Sequence, residues 1–485
     1  MRRLAVLLTF VAACAHATHG TNASDEQLLL LDNFGRPVAV PTNQVPDLLE
    51  PPSQVGLERQ MPVPQKGAAL PESVLRRTRS FGPFEFFPAQ LPRLMPYLAA
   101  QDLFGNTAVK PGALFKVFPL EPVVQGAKYG LSQYGLNYSL QQSFTGLTMS
   151  EVLQGEHTLG FYTFDFQGNL EVFSAPSAGT AGWVSTHMGV KTGLGAAGDT
   201  QDARSNIGSI TDPSSIWSSV NGARMQQLAW QESLASGRAV VIAGMVYQSD
   251  YLDQNVYAQS GRSQFMNSAL VNSLVLPLPG YNFGLNLQLQ PVPEWYAMIG
   301  ASAGHASAGS PPWTDFDWNH WSIETEFGYV TTNLAGWGPG IYRVQPFIAE
   351  AGGPTQGGVG VNMQQQLGEN SKFGWFTRAG VGGSHVSGDA DAQASTGLAI
   401  QGPFKHVLLD RTSNDRLGLG FVWSQPSATT RTVFHENEYV AELNYVMQLT
   451  PTTKLEPDCQ LVWNPSFNPD PGPVVAFQIQ LVTSW

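Results

Sequence analysis

The chain has 485 residues, of which only 13% are Asp, Glu, Lys or Arg, while Phe, Trp and Tyr make up 11% and glycine fills 50 positions. That charged share is about half the usual value for a soluble globular protein, so something other than ions must cover the surface. The formal net charge of -12 argues against a nucleic-acid partner, because neutralising phosphates needs excess Lys and Arg.

At the amino end, Arg2 and Arg3 precede an apolar run from Leu4 to Ala13 and the tripeptide Ala15-His16-Ala17, the layout of a signal peptide (1–17) cut after Ala17. Val11-Ala12-Ala13-Cys14 also has the form of a lipoprotein box with Cys14 as the acylated residue. Cleavage at Ala17 would leave Cys459 as the lone cysteine, with no internal disulfide or cysteine-based metal site available. No later segment has the roughly 18 consecutive apolar residues of a membrane helix; Ala239 to Val246 is among the longest. Export without a spanning helix leaves a periplasmic protein, a secreted protein or a β-barrel, since only helices and closed barrels satisfy backbone groups in lipid.

Residues 18–95 are rich in Pro and polar side chains without a sustained period, which predicts a disordered, flexible periplasmic extension. Within it, Leu28 to Asp32 reads as an uncommitted helical turn, with a small docking element as the other possibility.

Beyond residue 95 the chain turns to short alternating stretches separated by Gly, Pro, Asn, Asp and Ser clusters. Phe283, Leu285, Leu287 and Leu289 alternate with Asn286, Gln288 and Gln290; Ile323, Phe327 and Tyr329 oppose Glu324 and Glu326. Leu417, Leu419, Phe421 and Trp423 stand against Arg416 and glycines. Tyr439, Ala441, Leu443, Tyr445 and Met447 face away from Glu438, Glu442, Asn444 and Gln448. Leu455, Cys459, Leu461 and Trp463 oppose Lys454, Glu456, Asp458 and Gln460, and Val475, Phe477, Ile479 and Leu481 oppose Gln478 and Gln480. A side-chain period of two gives each strand one oily and one polar face. A soluble sandwich alternates too. Carboxylates on the polar face and aromatics recurring at strand ends (Trp423, Tyr439, Trp463, Trp485) favour an all-β transmembrane antiparallel β-barrel over residues 96–485, with carboxylates in the lumen and Cys459 toward lipid.

Between Met225 and Gly304, Trp230, Gln231 and Glu232 lead through Gly237-Arg238 to a Gly-containing strand, then Asp250-Tyr251 and the element Gln264-Phe265-x-Asn267-Ser268-Ala269. This block resembles the middle of the OprB-type carbohydrate-selective porin family. The ending, with Pro457-Asp458-x-Gln460 and Asn464-Pro465, is similar to that family's. Leu103-Phe104-Gly105 resembles its opening, although Asn106-Thr107-Ala108 replaces the usual Trp-Gly-Gly. The resemblance implies a barrel of about 16 strands, small neutral sugars as permeants, outer-membrane lipid around the barrel and a homotrimer. Ending at Trp485 resembles the signal read by the barrel assembly machinery.

No enzyme motif or cofactor signature emerges: there is no Gly-x-Ser-x-Gly elbow, and His435-Glu436-Asn437-Glu438 lacks a second zinc-binding histidine. A sugar pore needs carboxylates, amides and guanidinium groups that replace hydroxyl–water bonds, with aromatic faces for C–H surfaces. The densest such mixture is Trp313, Asp315, Asp317, Trp318, Trp321, Glu324 and Glu326, which also reads as an extracellular loop plus girdle aromatics. Further pore-lining candidates are Trp230, Glu232, Arg238, Asp250, Asp253 and Asn255, with Arg378 and Glu442 by strand parity. A general or cation-preferring porin is the alternative function; a barrel enzyme or adhesin is a more distant one.

Overall fold

The computed structural model describes a strand pair at Gln27–Leu31 and Pro37–Pro41 and, with short interruptions, residues 136–484. The run at Leu28 is therefore strand: Leu29 pairs with Ala39, so a second apolar segment supplies the partner that one helical turn would lack. The signal peptide and Leu103-Phe104-Gly105 lie outside the described residues.

Sixteen antiparallel strands close into one barrel. They are β1 (Leu136–Met149), β2 (Thr158–Ala175), β3 (Thr180–Leu194), β4 (Gly222–Leu234), β5 (Ala239–Val246), β6 (Asn282–Val292), β7 (Trp295–Ala303) and β8 (His320–Thr331). The second half comprises β9 (Gly340–Ala351), β10 (Gln356–Gln366), β11 (Phe373–Gly382), β12 (Ala390–Gln401), β13 (Arg416–Pro426), β14 (Glu438–Gln448), β15 (Thr453–Trp463) and β16 (Val474–Ser484). Each strand pairs with its neighbour in sequence, and β16 closes on β1 through partners such as Gln480 and Thr145. Closure leaves no unpaired edge, which is what allows a sheet to sit in hydrocarbon.

The alternation seen in the sequence is the alternation of the wall. Gln478 and Gln480 are buried inside while Phe477, Ile479 and Leu481 are exposed outside; Leu443 and Cys459 pair on the outer face, Asn444 and Asp458 on the inner one. The connections differ between the two ends. At one end most strands are joined by few residues, two between β6 and β7 and four between β14 and β15, whereas at the other end the long connections after β3 and β5 send residues 202–216 and 247–279 inward. Short turns on one side and long loops on the other are the habit of outer-membrane barrels.

The described parts of these two loops pack against inward-facing residues of the wall. The 195–221 loop carries a helical turn, α1 (Ala203–Ile207), capped by Asp202, whose carboxylate accepts from the Ser205 N–H. The 247–281 loop carries a second, α2 (Ser268–Val271), capped by Asn267. Phe265 and Leu270 of the latter pack with Phe376, Val422 and Val440 of the wall. Glycine at 418 and 420 makes this possible, because a Cβ there would come within 2.9 Å of the Phe265 ring and 2.5 Å of Leu270.

Candidate functional site

The inward loops are held by charges that the strands present to the lumen. On the 247–281 loop, Asp253 pairs with Arg378 of β11 at 3.1 Å and accepts from the Asn362 amide of β10 at 2.6 Å and the Ser273 N–H at 2.7 Å. Glu326 of β8 accepts from the Asp253 N–H at 3.0 Å, from Tyr296 at 2.6 Å and from Gln345 at 2.8 Å, with Arg343 of β9 3.3 Å away. Asn255 donates to Asn362 at 2.8 Å. Glu442 of β14 takes the backbone N–H groups of Met266 and Asn267 at 2.6 and 2.9 Å, just ahead of α2. On the other loop, Glu438 accepts from Ser209, Ile210 and Thr211 and also from the Ser466 N–H. Arg343 and Glu326 have no side-chain exposure, and Arg378 and Asp253 almost none. Fully buried charge at this density must be paired and hydrogen-bonded, and each of these groups is. They are fixtures of the loops.

A second set of charges is wetter. Arg262, from the 247–281 loop, reaches Asp165 of β2, which also lies 3.1 Å from His187 of β3; His187 stands 3.7 Å from Asp250, back on the loop. Side-chain exposure is 17% for Arg262 and 20% for Asp250, against zero in the anchors. Lys191 of β3 and Arg224 of β4 lie within electrostatic reach of this group. The result is a strip of mixed sign between the β2–β4 wall and the loop, able to exchange hydrogen bonds with a hydrated solute.

The residues expected from the sequence divide accordingly. Asp250 belongs to the wetter strip. Asp253, Asn255, Glu326, Arg378 and Glu442 face the lumen but serve as anchors, and Glu324 is buried on the inner face of β8. Trp313, Asp315, Asp317 and Trp318 lie outside the described residues. Three assignments are corrected. Trp230 and Glu232 sit on the outer face of β4, where the Trp230 ring is stacked on Phe173 and its N–H donates to Glu232 at 3.3 Å. The inward positions of that strand are Ala229, Gln231 and Ser233; Gln231 donates to Tyr251 and accepts from Trp183. Arg238 is exposed in the tight β4–β5 turn, at the end opposite the inward loops.

Sequence reasoning missed Asp165, His187, Lys191, Arg224 and Arg262. Asp165 was readable, because Tyr162, Phe164 and Phe166 alternate with Thr163, Asp165 and Gln167. The pairing of β3 with β4 shifts register beside His187, and Gln226 and Gln227 are both buried, so strict parity fails there. Among the described residues no group of three His, Cys, Asp or Glu is arranged to hold a metal ion.

A closed sixteen-strand barrel with an oily exterior and polar loops folded into its lumen defines a transmembrane porin. The model of the carbohydrate-selective porin family, OprB, matches residues 180–357 and 353–482, and the chain belongs to that family. The high-pH structure of Pseudomonas putida OprB superposes with a TM-score of 0.59 at 13% identity, covering 77% of this chain and 99% of that one. The low-pH structure of the same protein gives a TM-score of 0.47 at 15% identity, over 75% of this chain and 96% of the other. An uncharacterized protein of Aquifex aeolicus (strain VF5) is 32% identical over 93 residues, which span 19% of this chain and 30% of that relative. Family and fold are those of channel proteins rather than enzymes.

Proposed function

We propose that the protein is a passive diffusion channel for small, glucose-like neutral sugars in the outer membrane of a Gram-negative bacterium. The observation that carries this reading is the mixed-sign strip of Asp165, His187, Arg262 and Asp250, open to solvent at Arg262 and Asp250, with Lys191 and Arg224 nearby. Donors and acceptors of both signs can replace part of a sugar's hydration while holding it weakly, as conduction requires. The anchored loops hold the loop side of this strip in place. Liposome swelling tests the reading: rates should fall steeply from monosaccharide to oligosaccharide, and swelling no faster than in protein-free vesicles would refute it. Reversal potentials with and without glucose separate a sugar channel from a general or cation-preferring porin, which would show strong ion selectivity unaffected by glucose.

In the same reading residues 1–17 are a signal peptide, residues 18–95 form a periplasmic extension, the last strand ending at Trp485 is the segment presented to the barrel assembly machinery, and the channel is a homotrimer in outer-membrane lipid. Mobility of the unheated protein on a gel, followed by cross-linking, tests the trimer.

A further inference from the structure

We propose that the wide-loop end of the barrel carries a separate capture site for a neutral sugar, distinct from the charged strip and resting on the sugar-channel reading above. A recess of about 410 Å³ opens between the 272–279 stretch of the longer inward loop and the ends of β6, β7, β8 and β9. Its volume falls within the range of small-molecule sites, roughly 300 to 1,000 Å³.

The lining of the recess is mixed: Leu274, Pro277 and Leu278 bring apolar surface, Ser249, Asn272 and Ser302 hydroxyl and amide groups, and Trp321 an aromatic side chain. A pyranose offers the matching mixture, with C–H groups on its faces and hydroxyls around its rim. No Lys or Arg lines the recess among the described residues and Glu350 places a carboxylate in it, beside His320, which disfavours an anion and leaves an acceptor for a sugar hydroxyl. Ser302 accepts from the Gln248 amide at 3.2 Å, so its orientation is set. The side chains of Ser249 and Asn272 are half-buried and make no hydrogen bond to any described residue, which leaves both for a ligand.

The recess is also preformed. The Ser273 N–H is held by Asp253 at 2.7 Å, the Leu274 N–H by Gln393 at 2.5 Å, and Val275 is buried against Phe347 and Ala349. A ligand would meet a wall already in place and would not have to order it. Because the recess lies at the wide-loop ends of β6 to β9, away from the charged strip on β2 to β4, occupancy would raise the local sugar concentration at the entrance.

The test measures sugar uptake by proteoliposomes across a range of concentrations, for wild type, the double variant S249A/N272L, which removes the polar groups without adding bulk at 249, and each single variant. Wild-type flux should saturate, and the double variant should raise the half-saturating concentration roughly tenfold or more, as expected for two lost hydrogen bonds. Its conductance in KCl should stay at the wild-type value, which certifies the fold; if the pair fails to assemble, the single variants give the same readout at smaller amplitude. Unchanged saturation in the variants, or wild-type flux that rises linearly with concentration, would overturn the capture site and leave the channel intact. Complete absence of sugar flux in the wild type would instead overturn the channel reading itself.

Discussion

Arg378 grips the longer inward loop at two places at once. Its guanidinium pairs with the Asp253 carboxylate at 3.1 Å and donates to the Leu270 carbonyl at 2.7 Å, so positions far apart in the loop share one point on β11. Replacing it with alanine strands a buried carboxylate, a loss on the order of 3 to 5 kcal/mol. Arg378→Ala should lower the temperature of the heat-modifiable gel shift and raise single-channel conductance and current noise as the loop leaves the wall. The double variant D253N/R378M should recover part of the stability, since removing both charges removes the orphan. Wild-type conductance in Arg378→Ala would mean that the loop does not need this anchor.

Glu438 does the corresponding work for the shorter loop. One carboxylate receives the N–H groups of Ile210, Thr211 and Ser466 and the hydroxyls of Ser209 and Thr211. With Glu438→Ala these buried donors lose their acceptor, at about 1 to 3 kcal/mol for each left unsatisfied. The loop should then become sensitive to protease added outside intact cells, with cleavage mapped within 195–221, while the wild-type loop resists. Equal resistance in the variant would show that packing of Ile207 and Ile210 suffices.

The charged strip makes a prediction of sign. Arg262→Ser removes the loop's cation from Asp165 and His187 and should shift the reversal potential toward cation selectivity; Asp165→Asn should shift it the other way. One unit charge at about 4 Å in a water-like passage is worth about 1 kcal/mol, so the permeability ratio should move about fivefold. Shifts of the same sign in both variants would place the ion path elsewhere.

What the sequence disclosed follows from where side-chain period and environment coincide. In β13 to β16 outward positions such as Leu443 and Phe477 are exposed and inward ones such as Glu442 are polar, so these faces are declared without a structure. Inward Val422, Val440 and Val462 pack against the longer loop and break the simple polar pattern. At β4 motif and alternation disagree: the family-like block suggests the lumen for Trp230 and Glu232, whereas their alternation with Ala229, Gln231 and Ser233 turns them outward. The site itself was less legible. Arg262 meets Asp165, and Asp253 meets Arg378, through the path of a long loop whose course no periodicity encodes. The division of lumen charges into anchors and wet lining depends on that same path.

The outer face can be tested with charge. Leu443 is exposed between Leu419 and Cys459 on neighbouring strands. An arginine on a lipid-facing position near mid-depth costs roughly 2 to 4 kcal/mol. Leu443→Arg should reduce assembled barrel in the outer membrane and lower the unfolding midpoint in urea, while the conservative Leu443→Met should leave both near wild type. Normal assembly of Leu443→Arg would place that position outside the lipid.

The junction between the two inward loops carries a pH signature. Asp212 donates its N–H to the Ser268 hydroxyl at 2.9 Å and accepts from the Ser214 N–H at 2.9 Å. Burial, aided by the nearby Asp202 charge and opposed by the Ser214 bond, pushes its carboxyl up to about 7. An acid whose folded value is raised holds its proton when the unfolded chain has already lost it. Stability should therefore decline as pH rises from the ordinary Asp range, about 4, to about 7, by at most about 1.4 kcal/mol per pH unit, and level off above. Asp212→Asn should flatten that window in urea unfolding followed between pH 4 and 8. An unchanged slope in the variant would assign the dependence to other lumen carboxylates.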